Sequence, residues 1–120
     1  MSDALLTAKQ RLDRTGQRHT KMFSAKRTGD ISEHKAVVWL LEKGYEVFIN
    51  STCTGPIDLV AVDSETGERI LIDVKTRTFN LKNKFSPPHK TDMQLKLGVR
   101  MLYYEKIEHK FYWEDDINDR

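Results

Sequence analysis

An α/β domain with a central mixed sheet is predicted by three features of the sequence. One segment carries apolar residues at helical spacing, three short β-prone segments follow it, and an aromatic-rich pair of strands comes last. The expected order is α-β-β-β and then a C-terminal β-hairpin. At 120 residues the chain has room for one such domain. Its hydrophobic content of 38% is enough for a single core.

The same arithmetic excludes several classes. No apolar run approaches the roughly 18 residues of a membrane span. The first ten residues lack the charged-then-apolar layout of a secretory signal. A single cysteine, Cys53, rules out an intrachain disulfide and a cysteine-rich zinc site. The expectation is an intracellular protein with no membrane partner.

Residues 1–29 read as a basic arm, and residues 30–120 as the folded domain. In residues 1–30 seven basic side chains (Lys9, Arg11, Arg14, Arg18, Lys21, Lys26 and Arg27) stand against Asp3, Asp13 and Asp30, giving +4. The whole chain carries +2, so the remainder sums to −2. A basic arm ahead of a near-neutral body points to a polyanionic partner, or simply to a solvated terminus. A short helix through Ala4, Leu5, Ala8 and Leu12 has a thin apolar face, and 15–29 reads as loop.

Residues 31–43 are predicted to be a helix with Ile31, His34, Val37, Val38, Leu40 and Leu41 as its apolar stripe, Asp30 as N-cap and Gly44 as stop. A strand is expected at 45–49. A turn-rich link at 50–56 leads to two strands, 57–63 and 68–76, joined by the hairpin loop Ser64-Glu65-Thr66-Gly67. Residues 79–91 contain Pro87-Pro88 and read as an exposed loop. From Met93 to Tyr103 apolar residues alternate with polar ones, which favours a strand at least over 97–104 and leaves a helix as the alternative. Residues 111–113 are its hairpin partner, and the acidic tail is expected to fray.

The hairpin register follows from its loop. If Asp63 pairs with Glu68, counting back sets Leu59 opposite Ile72 and Asp58 opposite Asp73, with Cβ atoms on the order of 5 Å apart. Lys75 shares a face with Asp73. One face then carries Ile57, Leu59, Ala61, Ile70, Ile72 and Val74. The other carries Val60, Val62 and Leu71, with Asp58, Asp73 and Lys75 at one end. Such a sheet is expected to be covered on both sides. Two opposed carboxylates repel unless a cation compensates. Lys75 is one; oxygen-only ligands also suit Mg²⁺, which can activate water for attack on phosphorus.

Gly55-Pro56-Ile57-Asp58 followed fifteen residues later by Asp73-Val74-Lys75 resembles the signature of the PD-(D/E)XK nuclease superfamily. The upstream helix with Glu33 and the helix–strand–hairpin order are similar to the small Holliday-junction resolvases of that superfamily. The resemblance spans residues 29–77. It implies a restriction-endonuclease-like core and metal-dependent hydrolysis of DNA phosphodiesters, with branched DNA favoured as substrate. It further implies Asp58, Asp73 and the Val74 carbonyl as metal ligands, Lys75 as the catalytic lysine, and Glu33 approaching the ion or its water. Mg²⁺ is the implied cofactor, with Mn²⁺ able to substitute and no small-molecule cofactor. A homodimer is implied because a four-way junction needs two symmetric nicks. Arg11, Arg14, Arg18, Lys21, Lys26, Arg27 and Arg77 would then contact the DNA backbone.

Three departures accompany the resemblance. Ile57 separates Pro56 from Asp58, Asp73 is the shorter acid, and Gln94 is followed at i+4 by Gly98 where some branches have tyrosine. Glu33 has a plainer reading as the distal half of a capping box with Asp30. A different nuclease of the superfamily (nicking, repair or restriction type) and a non-catalytic nucleic-acid-binding module are the rival functions.

Overall fold

Ser24 starts the regular structure by accepting the Arg27 amide on its side chain at 3.2 Å, the N-cap geometry that satisfies a free helix donor. Helix α1 then runs Ala25–Glu42. It ends where Gly44, at φ 95°, and Tyr45 return their amides to Leu41 and Leu40, a glycine-dependent closure. The computed structural model describes residues 24–77 and 89–119. Arg11, Arg14, Arg18 and Lys21 lie outside those residues, as do the expected helix at 4–12 and most of the Pro87-Pro88 loop.

Two expectations for this helix are corrected. It starts at Ala25, so Asp30 is an interior residue rather than the cap, and the capping-box reading of Glu33 falls with it. Lys26 and Arg27 sit in its first turn, where Lys26 pairs with Asp30 at 3.1 Å. The buried face is Ser32, Ala36 and Leu40, while Ile31, Val38 and Leu41 stand outward. Small side chains let the helix axis approach the sheet closely. Ile31, Val38 and Leu41 share the 3.6-residue period of that face but not its phase.

The strands are β1 (Glu46–Ile49), β2 (Leu59–Val62), β3 (Arg69–Arg77), β4 (Arg100–Glu105) and β5 (Lys110–Trp113), in that spatial order. All neighbours are antiparallel except β3 and β4, which run parallel. The sheet is therefore mixed, as expected, with the C-terminal hairpin in place. The β2–β3 turn follows its local chemistry. Asp63 accepts the Glu65 amide on Oδ1, donates its own amide to the Glu68 carbonyl and accepts the Gly67 amide on its carbonyl, while Gly67 takes φ 78°. Leu59 pairs with Ile72 as counted.

Between β3 and β4 lies a short helix, α2 (Asp92–Leu97), where the alternation favoured a strand. Thr91 and Gln94 form a reciprocal capping box, and Gly98 closes the helix at φ 73°. Met93, Leu95 and Leu97 are exposed, so their alternation reflects no buried face. True strand pairing begins at Arg100. β4 is buried from Met101 to Glu105 on both faces, as a central parallel strand should be.

Helix α1 covers the face that holds Leu59, Ala61, Ile70, Ile72 and Leu102. Trp39 stacks on Phe111 at 5.0 Å to extend that core to the sheet edge. On the opposite face the tail, expected to fray, instead forms a 3₁₀ turn (Glu114–Asp119) whose Ile117 packs on Met101 and Tyr103. Cover there is partial: Val60, Val62 and Leu71 are half-buried. Among the described residues no helix is long and apolar enough to cross a membrane.

Candidate active site

The regular ladder between β2 and β3 stops at Leu59 and Ile72. The Asp58 amide donates at 2.8 Å to the carbonyl of Ile72, a residue that already faces Leu59. Two residues of one strand thus oppose one of the next, the geometry of a β-bulge. The bulge re-aims Asp58 toward β3, where its Oδ2 accepts the Val74 amide at 2.8 Å. The carboxyls of Asp58 and Asp73 remain close enough for each to act on the other's charge, although the two residues are not a ladder pair.

Asp73 is 7% exposed and lies on the face away from α1, in register with Met101. Its Oδ2 receives two donors, the Lys75 ammonium at 3.3 Å and the Gln94 side-chain amide at 3.0 Å. Lys75 pairs with Tyr103 across the strands, and its side chain is 39% exposed, so the ammonium reaches solvent beside the buried acid. Burial pushes the Tyr103 phenol up, so it stays neutral.

The electrostatics follow from this crowding. Asp58 is pushed up to about 7, first by burial, then by its hydrogen bond and repulsion with Asp73, against the lowering effect of the Val74 amide. Glu33 is raised too, first by burial and then by Asp30, with Asp73 adding to it. Glu33 therefore feels the pair and is felt by it. Among the described residues, though, no group of three or more His, Cys, Asp or Glu is gathered closely enough to hold an ion. The arrangement is a carboxyl pair with Glu33 standing off.

Gln94 is a site residue that the strand-like alternation hid. It is 7% exposed, and its amide nitrogen bridges Asp73 and the Pro56 carbonyl at 3.1 Å, tying the two halves of the charged motif together. The available signal was local: Thr91 three residues before Gln94, and Gly98 after it. Asn50 plays the matching part in the preceding loop. Its amide donates to Thr54 and Ile57, its Oδ1 accepts from Thr52, and its backbone bonds Asp58. Arg77, half-buried at the end of β3, faces Glu105 in register.

The mixed sheet and its helix are compatible with a restriction-endonuclease-like core. No family model and no curated protein matches the chain. Among solved structures the chain is similar to a bacterial homing endonuclease, I-Ssp6803I. The TM-score is 0.52 and the sequence identity 23%, over 76% of this chain and 68% of that one. At that identity the likeness is one of fold.

Proposed function

We propose that this chain is a metal-dependent DNA endonuclease that hydrolyses phosphodiester bonds. The observation that carries this reading is the Asp58–Asp73 carboxyl pair, with the Lys75 ammonium 3.3 Å from Asp73. A proton held there at neutral pH marks a place where a cation is favoured over two bare charges. The donor set fits Mg²⁺, with Mn²⁺ as substitute, because such ions take a few protein oxygens and keep waters. Asp58, Asp73 and the Val74 carbonyl would hold the ion, and Glu33 would reach it through water. When bound, the ion supplies a polarised water and neutralises charge on phosphate.

The chain's own groups do the rest. Lys75 orients the attacking water and offsets negative charge developing on phosphorus. Gln94 fixes the Asp73 carboxylate so that it does not rotate away. Arg11, Arg14, Arg18, Lys21, Lys26 and Arg27, together with Arg77, would bind backbone phosphates in a salt-sensitive manner.

The favoured substrate is branched DNA such as a four-way junction, cut by a homodimer that places two symmetric nicks. The fold likeness to a homing endonuclease favours a second reading, cleavage of linear duplex. One panel separates them: labelled four-way, Y-shaped and linear duplex DNA, each with Mg²⁺, Mn²⁺ or EDTA. Metal-dependent cutting is expected, strongest on the four-way substrate. Preference for linear duplex would move the assignment to the second reading, and cleavage that persists in EDTA would exclude the metal mechanism. Binding without cleavage, unchanged in Lys75→Ala, would leave only a nucleic-acid-binding module.

A further inference from the structure

Ser32 is a buried polar residue on an otherwise small and apolar helix face, 2% exposed. Its hydroxyl is hydrogen-bonded to that of Thr76 on β3, 44 positions along the chain. The two partners have telling neighbours. Ser32 directly precedes Glu33, and Thr76 directly follows Lys75 on the strand that carries Asp73. The bond therefore ties the helix residue next to the stand-off glutamate to the strand residue next to the lysine.

Packing alone does not call for these hydroxyls. Ala36, one turn on, shows that the same helix face accepts a methyl at full burial. Exchanging both partners for apolar groups of the same shape is near-neutral for stability. What a directional bond adds, and a methyl contact does not, is a fixed rotation and axial register of one element on another. A further side-chain hydrogen bond from α1 to the sheet, Lys35 to Tyr104 at 2.9 Å, anchors the helix on β4. Ser32 and Thr76 tie the helix to the strand beside the site itself.

We infer that Ser32 and Thr76 are positioning residues that set the Glu33 carboxylate against the Asp58–Asp73 pair, and so tune how that site takes a divalent ion. This deepens the endonuclease reading and rests on it. The test uses the full chain with Ser32→Ala/Thr76→Val, which removes both hydroxyls and strands neither. Thr76→Ser keeps the bond and serves as the conservative control. Mn²⁺ binding is measured by calorimetry without DNA, and kcat and KM for the preferred DNA are measured with Mg²⁺. Both are repeated in a Glu33→Gln background.

The double variant should melt within a few degrees of the wild type. It should bind Mn²⁺ about tenfold more weakly, the low end for groups that orient metal ligands, and lose kcat with KM little changed. Thr76→Ser should restore both. In the Glu33→Gln background the hydroxyl pair should make no further difference. Wild-type Mn²⁺ affinity in the double variant would overturn the inference. A loss equally large without Glu33, or a double variant that fails to fold, would also overturn it, since the pair would then act on the fold at large. A wild-type protein that neither binds the ion nor cuts DNA would refute the endonuclease reading itself.

Discussion

Metal binding at the carboxyl pair should depend steeply on pH, with the proton on Asp58 as the competitor. Asp58 titrates at about 7 where the ordinary value is 3.8. An ion that needs both carboxylates finds the competent form only in the deprotonated fraction. That fraction is about 0.9 at pH 8, about 0.1 at pH 6 and about 0.01 at pH 5, and apparent affinity scales with it. The dissociation constant for Mg²⁺ or Mn²⁺ should therefore rise about tenfold from pH 8 to pH 6 and about another tenfold by pH 5. Calorimetry in buffers of different ionisation heat counts the protons directly. About one should be released per ion at pH 6 and about a tenth at pH 8. Equal affinity at pH 6 and pH 8, with no proton released, would refute the shared-proton picture and the compensation argument built on it.

Other predictions concern the same group of residues. Asp58→Asn preserves shape: its carbonyl can still accept the Val74 amide, and its NH₂ can donate to Asp73. The raised value at Asp58 means stability is fully present below pH 3.8 and lost as pH rises through about 7. Such a displacement converts to about 4 kcal/mol for a buried group, and the half-buried position of Asp58 screens this to roughly 1–2 kcal/mol. The variant should accordingly melt roughly 3–10 °C higher than metal-free wild type at pH 8, while losing cleavage and any stabilisation by Mg²⁺; a lower melting temperature there would contradict the argument. Gln94→Ala leaves the Pro56 carbonyl and Thr91 amide without their partner. It should cost about 1–3 kcal/mol in thermal or urea unfolding and weaken Mn²⁺ binding, and unaltered Mn²⁺ affinity would remove Gln94 from the site. Deleting residues 2–23 spares α1 and removes Lys9, Arg11, Arg14, Arg18 and Lys21. The slope of log Kd against log salt for DNA, read by fluorescence anisotropy, should flatten by up to about 4; an unchanged slope makes the arm a bystander.

Legibility of this fold divides along a physical line. Where a short loop sets geometry, counting was sufficient: four residues from Asp63 to Glu68 put Leu59 opposite Ile72 and Asp58 near Asp73. Where burial depends on the partner surface, it was not. The phase of α1 is set by how closely a helix can lie on β3, so Ser32 and Ala36 go inward and Ile31, Val38 and Leu41 go outward. At 93–104 the alternation of Met93, Leu95 and Leu97 with polar residues leaves helix and strand both open before 97, although the capping box that decides for a helix at 92–97 is present in the sequence. The bulge at Asp58 was also invisible, since a period-2 reading assigns each residue one partner and one face. Charge types within that register single out Asp58, Asp73 and Lys75, which the structure brings together; Gln94 carries no charge and so gave no such signal, although it holds the Asp73 carboxylate.

The bulge and the carboxyl pair are connected. In an unbroken ladder, Asp58 and Asp73 would face each other on one surface of the sheet, each free to turn toward solvent and relieve the repulsion. Here the bulge gives Asp58 the Val74 amide as a fixed donor, and Gln94 with Lys75 does the same for Asp73. Each acid is held by groups that leave the other as its neighbour, so neither can rotate away. The remaining relief is a proton, at the cost of a shifted titration, or a cation. The opposition of the two acids is thus held by backbone geometry. It follows that substitutions restoring a regular ladder at Pro56-Ile57 should relax the titration of Asp58 toward its ordinary value and weaken ion binding together. NMR titration of the Asp58 carboxyl carbon in such variants measures the first effect and Mn²⁺ calorimetry the second. If the two moved independently, the coupling between bulge and ion would be wrong.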